Sequence, residues 1–221
     1  MNNSTKSVNV WDPIVRIGHW SLVIAFFTAY FTEDDFITQH VWAGYIVGAV
    51  VLFRIVWGLI GSKHARFSDF IYPPMAVFGY LKGLLSRKPQ HYVGHNPAGG
   101  AMVIALLLSL GATVFTGLSL YAVKENAGPL AGFVATNDKV IPASIISSAY
   151  ADEDEGESEH GATVNKDAEE FWEELHEFFA NFTLLLVALH IGGVLLSSYI
   201  DKEKLVKAMI TGHKEIPKEL E

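Results

Sequence analysis

The sequence predicts an all-α integral membrane protein, a four-helix bundle with shorter amphipathic helices on its surface. Half of the 221 residues are hydrophobic and only 18% are charged, too apolar and too unevenly patterned for an ordinary soluble domain. Four stretches, near residues 14–32, 39–61, 97–122 and 170–199, approach or exceed the roughly 20 apolar residues that cross a bilayer. Positive charge is segregated along the chain in the way that membrane topology demands. The whole of 1–221 therefore reads as a single membrane domain.

The first span, within IVRIGHWSLVIAFFTAYF, follows a polar segment ending in Trp11-Asp12-Pro13 and has no small-residue cleavage site, so it reads as a retained helix. Trp11 is expected at the headgroup level, where amphipathic rings are enriched. His19 lies in the first turns with Arg16 one turn earlier on the same face. An acidic connection, TEDDFITQ, leads to the second span, HVWAGYIVGAVVLFRIVWGLIG. It opens on His40, and Gly44 and Gly48 form a small-residue ridge on the face that His40 shares. Such a ridge lets a helix or a flat macrocycle approach closely.

A basic segment with Lys63, Arg66, Lys82, Arg87 and Lys88 separates spans two and three, and its centre reads as an interfacial helix interrupted by Pro73-Pro74. His64, His91 and His95 fall among charges and prolines, as surface or capping residues, with His95-Asn96-Pro97 opening the third span. That span, PAGGAMVIALLLSLGATVFTGLSLYA, has no histidine, and its small residues suggest packing. Residues 123–169 read as a long acidic loop containing DEDEGESE. After the fourth span, DKEKLVKAMITGHK reads as a short amphipathic helix on the membrane surface.

The fourth span carries the chemistry. His176 and His190 stand in an apolar run, fourteen residues apart, which puts both imidazoles within roughly 40° of one helix face and about 21 Å apart along the axis. Histidine inside a membrane is costly without a partner, so two in register call for something large between helices. HEFFA does not complete a zinc-protease motif, because Ala180 stands where the second histidine would be. The chain has no cysteine, which excludes c-type haem, thiolate-held iron–sulfur clusters and disulfides. Haem is the obvious candidate, and any haem here is b-type and held by histidine.

Of the sixteen Lys and Arg, only Lys124, Lys139 and Lys166 belong to one side of the membrane, and the positive-inside rule puts both termini in the cytoplasm with the acidic loop outside. The depth of each histidine follows. His19 and His190 lie toward the cytoplasm, and His40 and His176 toward the outside. Two depth-matched pairs can each sandwich one haem iron, giving two six-coordinate b-type haems stacked across the bilayer. Arg16 and Arg54 stand at the cytoplasmic level where haem propionates need cations, Arg54 being fourteen residues beyond His40.

RIGHW, HVWAGYIVGAVVLFRIVWGLIG, GHNPAGG and LHEFFANFTLLLVALHIGGVLLSS followed by LVKAMITGHK resemble the prokaryotic cytochrome b-561 family and the related cytochrome b subunit of nickel-iron hydrogenases. The resemblance covers nearly the whole chain and is weakest over 123–169. It implies a di-haem protein of the bacterial inner membrane exchanging electrons with quinone or quinol, with ligands at His19, His40, His176 and His190; Gly44, on the ridge that His40 shares, is expected against a haem.

The expected function is transmembrane electron transfer between the quinone pool and a periplasmic partner, a c-type cytochrome or another basic redox protein. The acidic loop would steer such a partner. The alternatives are a superoxide:quinone oxidoreductase working at the outer haem edge, the cytochrome b subunit of a hydrogenase, and a haem-free transporter relaying protons through its histidines. Bis-histidine ligation leaves no open iron position, so whether the chain is an enzyme stays open. Quinone pockets lack a fixed motif, and the cytoplasmic half near His95 and Arg54 is the favoured place. Partners are otherwise membrane lipid, with no nucleic acid.

Overall fold

A computed structural model describes residues 5–33, 36–86, 92–132, 157–201 and 203–217, with the backbone alone described at 5–6, 85, 157–165, 201 and 216–217. Its helices are α1 (Pro13–Phe31), α2 (Ile37–Ile60), α3 (Pro74–Leu85), α4 (Pro97–Glu125), α5 (Glu157–Asp201) and α6 (Leu205–Thr211), with two short 3-10 turns at Lys63–Ala65 and Phe67–Asp69. Four of them are long and apolar enough to cross a membrane: α1, α2, α4 and the stretch Lys166–Ile200 of α5. Their outward faces stay apolar, with Ile24, Leu52, Leu108 and Leu185 among the exposed large side chains, as lipid contact requires.

The helix ends are written locally. Asp12 caps α1 by accepting from the Val15 N–H at 2.8 Å, and Pro13 occupies the first helical position, where its missing N–H costs nothing. Pro73-Pro74 begins α3; it does not interrupt it, for the same reason. Asn96 caps α4 through its Oδ1 and the Gly99 N–H, 2.7 Å apart. The expected acidic loop is shorter than 123–169. Helix α4 runs on to Glu125 and α5 already begins at Glu157, because extending an existing helix through proline-free sequence costs far less than starting one. Most of the acidic run, residues 152–156, lies outside the described residues, as does His91.

The chain divides into two compact units, one of residues 1–110 with 183–221, the other of residues 111–182. In the first, α1 and α2 pack together, and Ala25, Phe26, Ala43, Val47 and Val51 are among their buried side chains. Two strands that local sequence did not signal, β1 (Thr5–Asn9) and β2 (His213–Pro217), pair antiparallel with Thr5 opposite Pro217. Gly212 makes the turn into β2 with φ +85°, and its carbonyl accepts from the N–H groups of Val10 and Trp11. Trp11 is buried against Val10 and Ala208. It is a core residue of this clasp and no headgroup anchor. Lys214 is buried too, bonded to Glu203 at 2.8 Å and to the Tyr92 carbonyl at 2.6 Å.

Candidate functional site

In the first unit α1 and α5 bring His19 and His190 together, with ring centroids 6.5 Å apart and planes inclined at 55°. Trp20 stands edge-on to His19 at 5.2 Å. The Nδ1 of His19 is buried and has no hydrogen-bond partner among the described residues, an arrangement that costs about 1–3 kcal/mol if nothing else binds it. No group of three or more His, Asp or Glu among the described residues could hold a bare metal ion. Two imidazoles suit an ion whose other positions are filled by a macrocycle.

His40 belongs to α2 in the same unit. Its Nδ1 lies 2.9 Å from the Ala29 carbonyl, an oxygen in the last turn of α1 that also accepts from the Thr32 N–H at 3.2 Å. A carbonyl only accepts, so Nδ1 carries the proton and the lone pair sits on Nε2, the tautomer that a metal-binding histidine needs. Gly44, one turn on, has no atom of the described residues beyond its own helix backbone within 4 Å of where a Cβ would stand.

His176 belongs to the second unit. Its Nδ1 donates to the Thr113 carbonyl at 3.0 Å, with the Thr116 hydroxyl at 3.2 Å, and the same reasoning puts its lone pair on Nε2. Gly117 makes this possible, since a Cβ there would stand 2.8 Å from the His176 Cε1. Thr113, Thr116 and Gly117 escaped sequence reasoning. The signal was their spacing of three and four residues in a span read only as packing.

Arg16 donates from Nη1 to the Ile210 carbonyl at 2.5 Å, tying α6 to α1, while its Nε is buried without a partner among the described residues. Arg54 is held in the protein. Its guanidinium lies over Phe67 and Phe70, 5.3 and 5.8 Å from the ring centroids, and its Nη1 is likewise buried and unpartnered. His95, expected at the surface, is packed between Trp11 at 4.5 Å and Phe70 at 4.4 Å. Burial pushes its pKa down to about 3, and the Arg54 charge adds to the effect, so the imidazole is neutral. His64 does stay near the surface, bonded to Asp69 at 2.9 Å. At the α1 cap, burial would raise the Asp12 pKa, but hydrogen bonds from Ser62, the Val15 N–H, Trp57 and the Ile14 N–H outweigh it and hold the carboxylate below its ordinary range.

Residues 10–212 match the model of the family described as prokaryotic cytochrome b561. The chain belongs to that family. As a cytochrome b561 relative it is a multi-pass bacterial membrane protein of the b-type, haem-carrying, electron-transferring class. It is 29% identical over 146 residues to a probable Ni/Fe-hydrogenase B-type cytochrome subunit of Bradyrhizobium diazoefficiens, covering 52% of this chain and 58% of the relative. With the protein of the same description from Rhizobium leguminosarum bv. viciae it shares 29% over 153 residues, 56% of this chain and 62% of the relative. With the probable Ni/Fe-hydrogenase 1 B-type cytochrome subunit of Escherichia coli K12 it shares 25% over 150 residues, 55% and 63%. The match thus spans about three fifths of these relatives' length. No solved structure matches the chain.

Proposed function

We propose that the protein carries electrons across the membrane through two b-type haems, one held by His19 and His190 and the other by His40 and His176. The single observation that carries this reading is the spacing of the first pair. An imidazole nitrogen sits about 2.1 Å from a bound first-row metal and the ring centroid roughly 1.1 Å further, so two axial imidazoles on one ion have centroids about 6.4 Å apart. The rings of His19 and His190 lie at 6.5 Å. Bound haem would supply a one-electron carrier. The protein's part is orientation: Ala29 fixes the ring of His40 and Thr113 that of His176, each through Nδ1. Arg16 and Arg54, each with a buried nitrogen unpartnered among the described residues, suit the haem propionates, and the open space against Gly44 suits the flat ring of a haem.

Both termini face the cytoplasm in this reading. The electrons pass between the membrane quinone pool and an outer-side redox protein, a c-type cytochrome or another with a basic patch, drawn to the acidic segment. The test is haem content and potentiometric titration of single variants. Replacing His19 or His190 by Ala removes one and the same haem, and replacing His40 or His176 removes the other. Loss of a common redox step in His19→Ala and His40→Ala would overturn the pairing.

A second reading replaces the outer partner by a hydrogenase, favoured by the relatives, which are described as probable Ni/Fe-hydrogenase cytochrome subunits. Hydrogen-dependent reduction of the haems in membranes of the source bacterium would separate the two.

A further inference from the structure

We infer that the Nδ1 of His95 and the Nη1 of Arg54 form a carboxylate clamp, and that the carboxylate is a propionate of the haem bound by His19 and His190. The inference rests on the reading above. Both nitrogens are buried and have no hydrogen-bond partner among the described residues. A buried donor left unmet keeps its full desolvation penalty, larger still when charged, so two packed on one ring ask for an acceptor. They converge on one ring: Phe70 packs His95 at 4.4 Å and lies 5.8 Å from the Arg54 guanidinium carbon.

The acceptor does not come from the neighbouring carboxylates. Asp12 accepts from Val15, Trp57 and Ser62, and Asp69 accepts from His64. Arg54 therefore supplies a positive charge that no carboxylate of the described chain bonds. His95, neutral because it is buried and beside that cation, supplies a hydrogen bond and no charge. One cation and one neutral donor fit the two oxygens of a monoanionic carboxylate. The donors are set in place beforehand. Trp11 packs His95 at 4.5 Å, Tyr72 donates to its carbonyl at 3.3 Å, and Asn96 beside it caps α4. The aromatic walls select a carboxylate attached to an apolar body. The fourteen residues from His40 to Arg54 along α2 carry the guanidinium about 21 Å toward the level read for His19 and His190, which puts a haem on that pair in range.

The test compares the holoprotein with His95→Leu and His95→Asn by potentiometric titration, the haem concerned being the one absent from His190→Ala. Hydrogen bonds to a propionate disperse its charge and so favour ferrous iron. His95→Leu is expected to lower the midpoint potential of that haem alone, and His95→Asn, whose amide N–H replaces Nδ1–H, to restore it. Redox-difference infrared spectra with haem 13C-labelled at the propionate carboxyls identify the carboxylate, and a labelled band that shifts between wild type and His95→Asn supports the clamp. That comparison decides even if His95→Leu does not assemble. An unshifted labelled band, or an unchanged potential in His95→Leu, would overturn it. A shift in an unlabelled carboxylate band would assign the clamp to a fatty acid or small carboxylate and overturn the propionate assignment. Failure of His19→Ala and His190→Ala to remove one common haem would instead bring down the underlying reading.

Discussion

His176 donates its Nδ1 proton to the carbonyl of Thr113, one turn before a glycine whose Cβ would collide with the same imidazole. Gly117 and His176 therefore form a fitted pair, and the fit is tight enough to test. Gly117→Ala forces the ring aside, at a cost of about 1–3 kcal/mol for overpacking. The expected result is loss or a marked potential shift of the haem assigned to His40 and His176, with the other unaffected. Equal retention of both haems with unchanged potentials would refute it.

Ser109 and Thr183 meet at 2.6 Å, and Thr183 is fully buried. Buried hydroxyl pairs in membrane proteins couple by about 0.6 kcal/mol on average and up to about 1.7. A double-mutant cycle with Ser109→Ala and Thr183→Val, read by thermal unfolding in detergent, is expected to return a coupling in that range. A coupling of zero would mean that the bond contributes nothing in the membrane context.

The ion pair of Lys214 and Glu203 is buried on both sides, at 7% and 8% exposure. Removing the cation from a buried pair costs about 3–5 kcal/mol, because the anion keeps its desolvation penalty. Lys214→Met is expected to lower the melting temperature and expose the β1–β2 clasp to limited proteolysis, with Glu203→Leu added to it recovering much of the loss. Protection of the clasp in Lys214→Met would rule this out.

Asp12 gives an acid limb to stability. Its folded pKa lies below the ordinary value, so the unfolded chain takes up the proton first. The stabilisation is therefore fully present above about pH 4, and drains away as pH falls through the folded value. Asp12→Asn is expected to be less stable than wild type at pH 7, the difference shrinking as pH falls below about 4. Parallel melting curves across that range would show that the carboxylate is not involved.

Electron transfer to an outer-side basic redox protein is expected to slow as ionic strength rises, and to lose that dependence when Asp152, Glu153, Asp154 and Glu155 are neutralised together. Stopped-flow rates that ignore both changes would dispose of the docking idea.

The spans were legible because bilayer thickness imposes a length that hydrophobic runs display directly, and α1, α2 and α4 begin within two residues of where the apolar pattern places them. The alternating direction of the spans is what placed His19 and His190 at one depth. What stayed hidden depended on partners distant in sequence. TKSVN and HKEIP are short and polar, and nothing within either announces a strand that finds its mate some two hundred residues away. His95 sits among charges and prolines, the pattern of an exposed loop, and only packing by Trp11 and Phe70 buries it. Thr113 and Gly117 look like ordinary small-residue packing until His176 is placed beside them.

The clasp sets an order of events during synthesis. Asn9 pairs with His213, so β1 must wait while the ribosome makes all four spanning helices, roughly 10–40 s at about 5–20 residues per second. Trp11 has no Ala208 to pack against until then, and Arg16 no Ile210 carbonyl. Insertion of α1 is thus early, while its anchoring is among the last steps, and a nascent chain stalled before Ile210 displays an apolar tryptophan and an unmet arginine to whatever quality-control machinery inspects it.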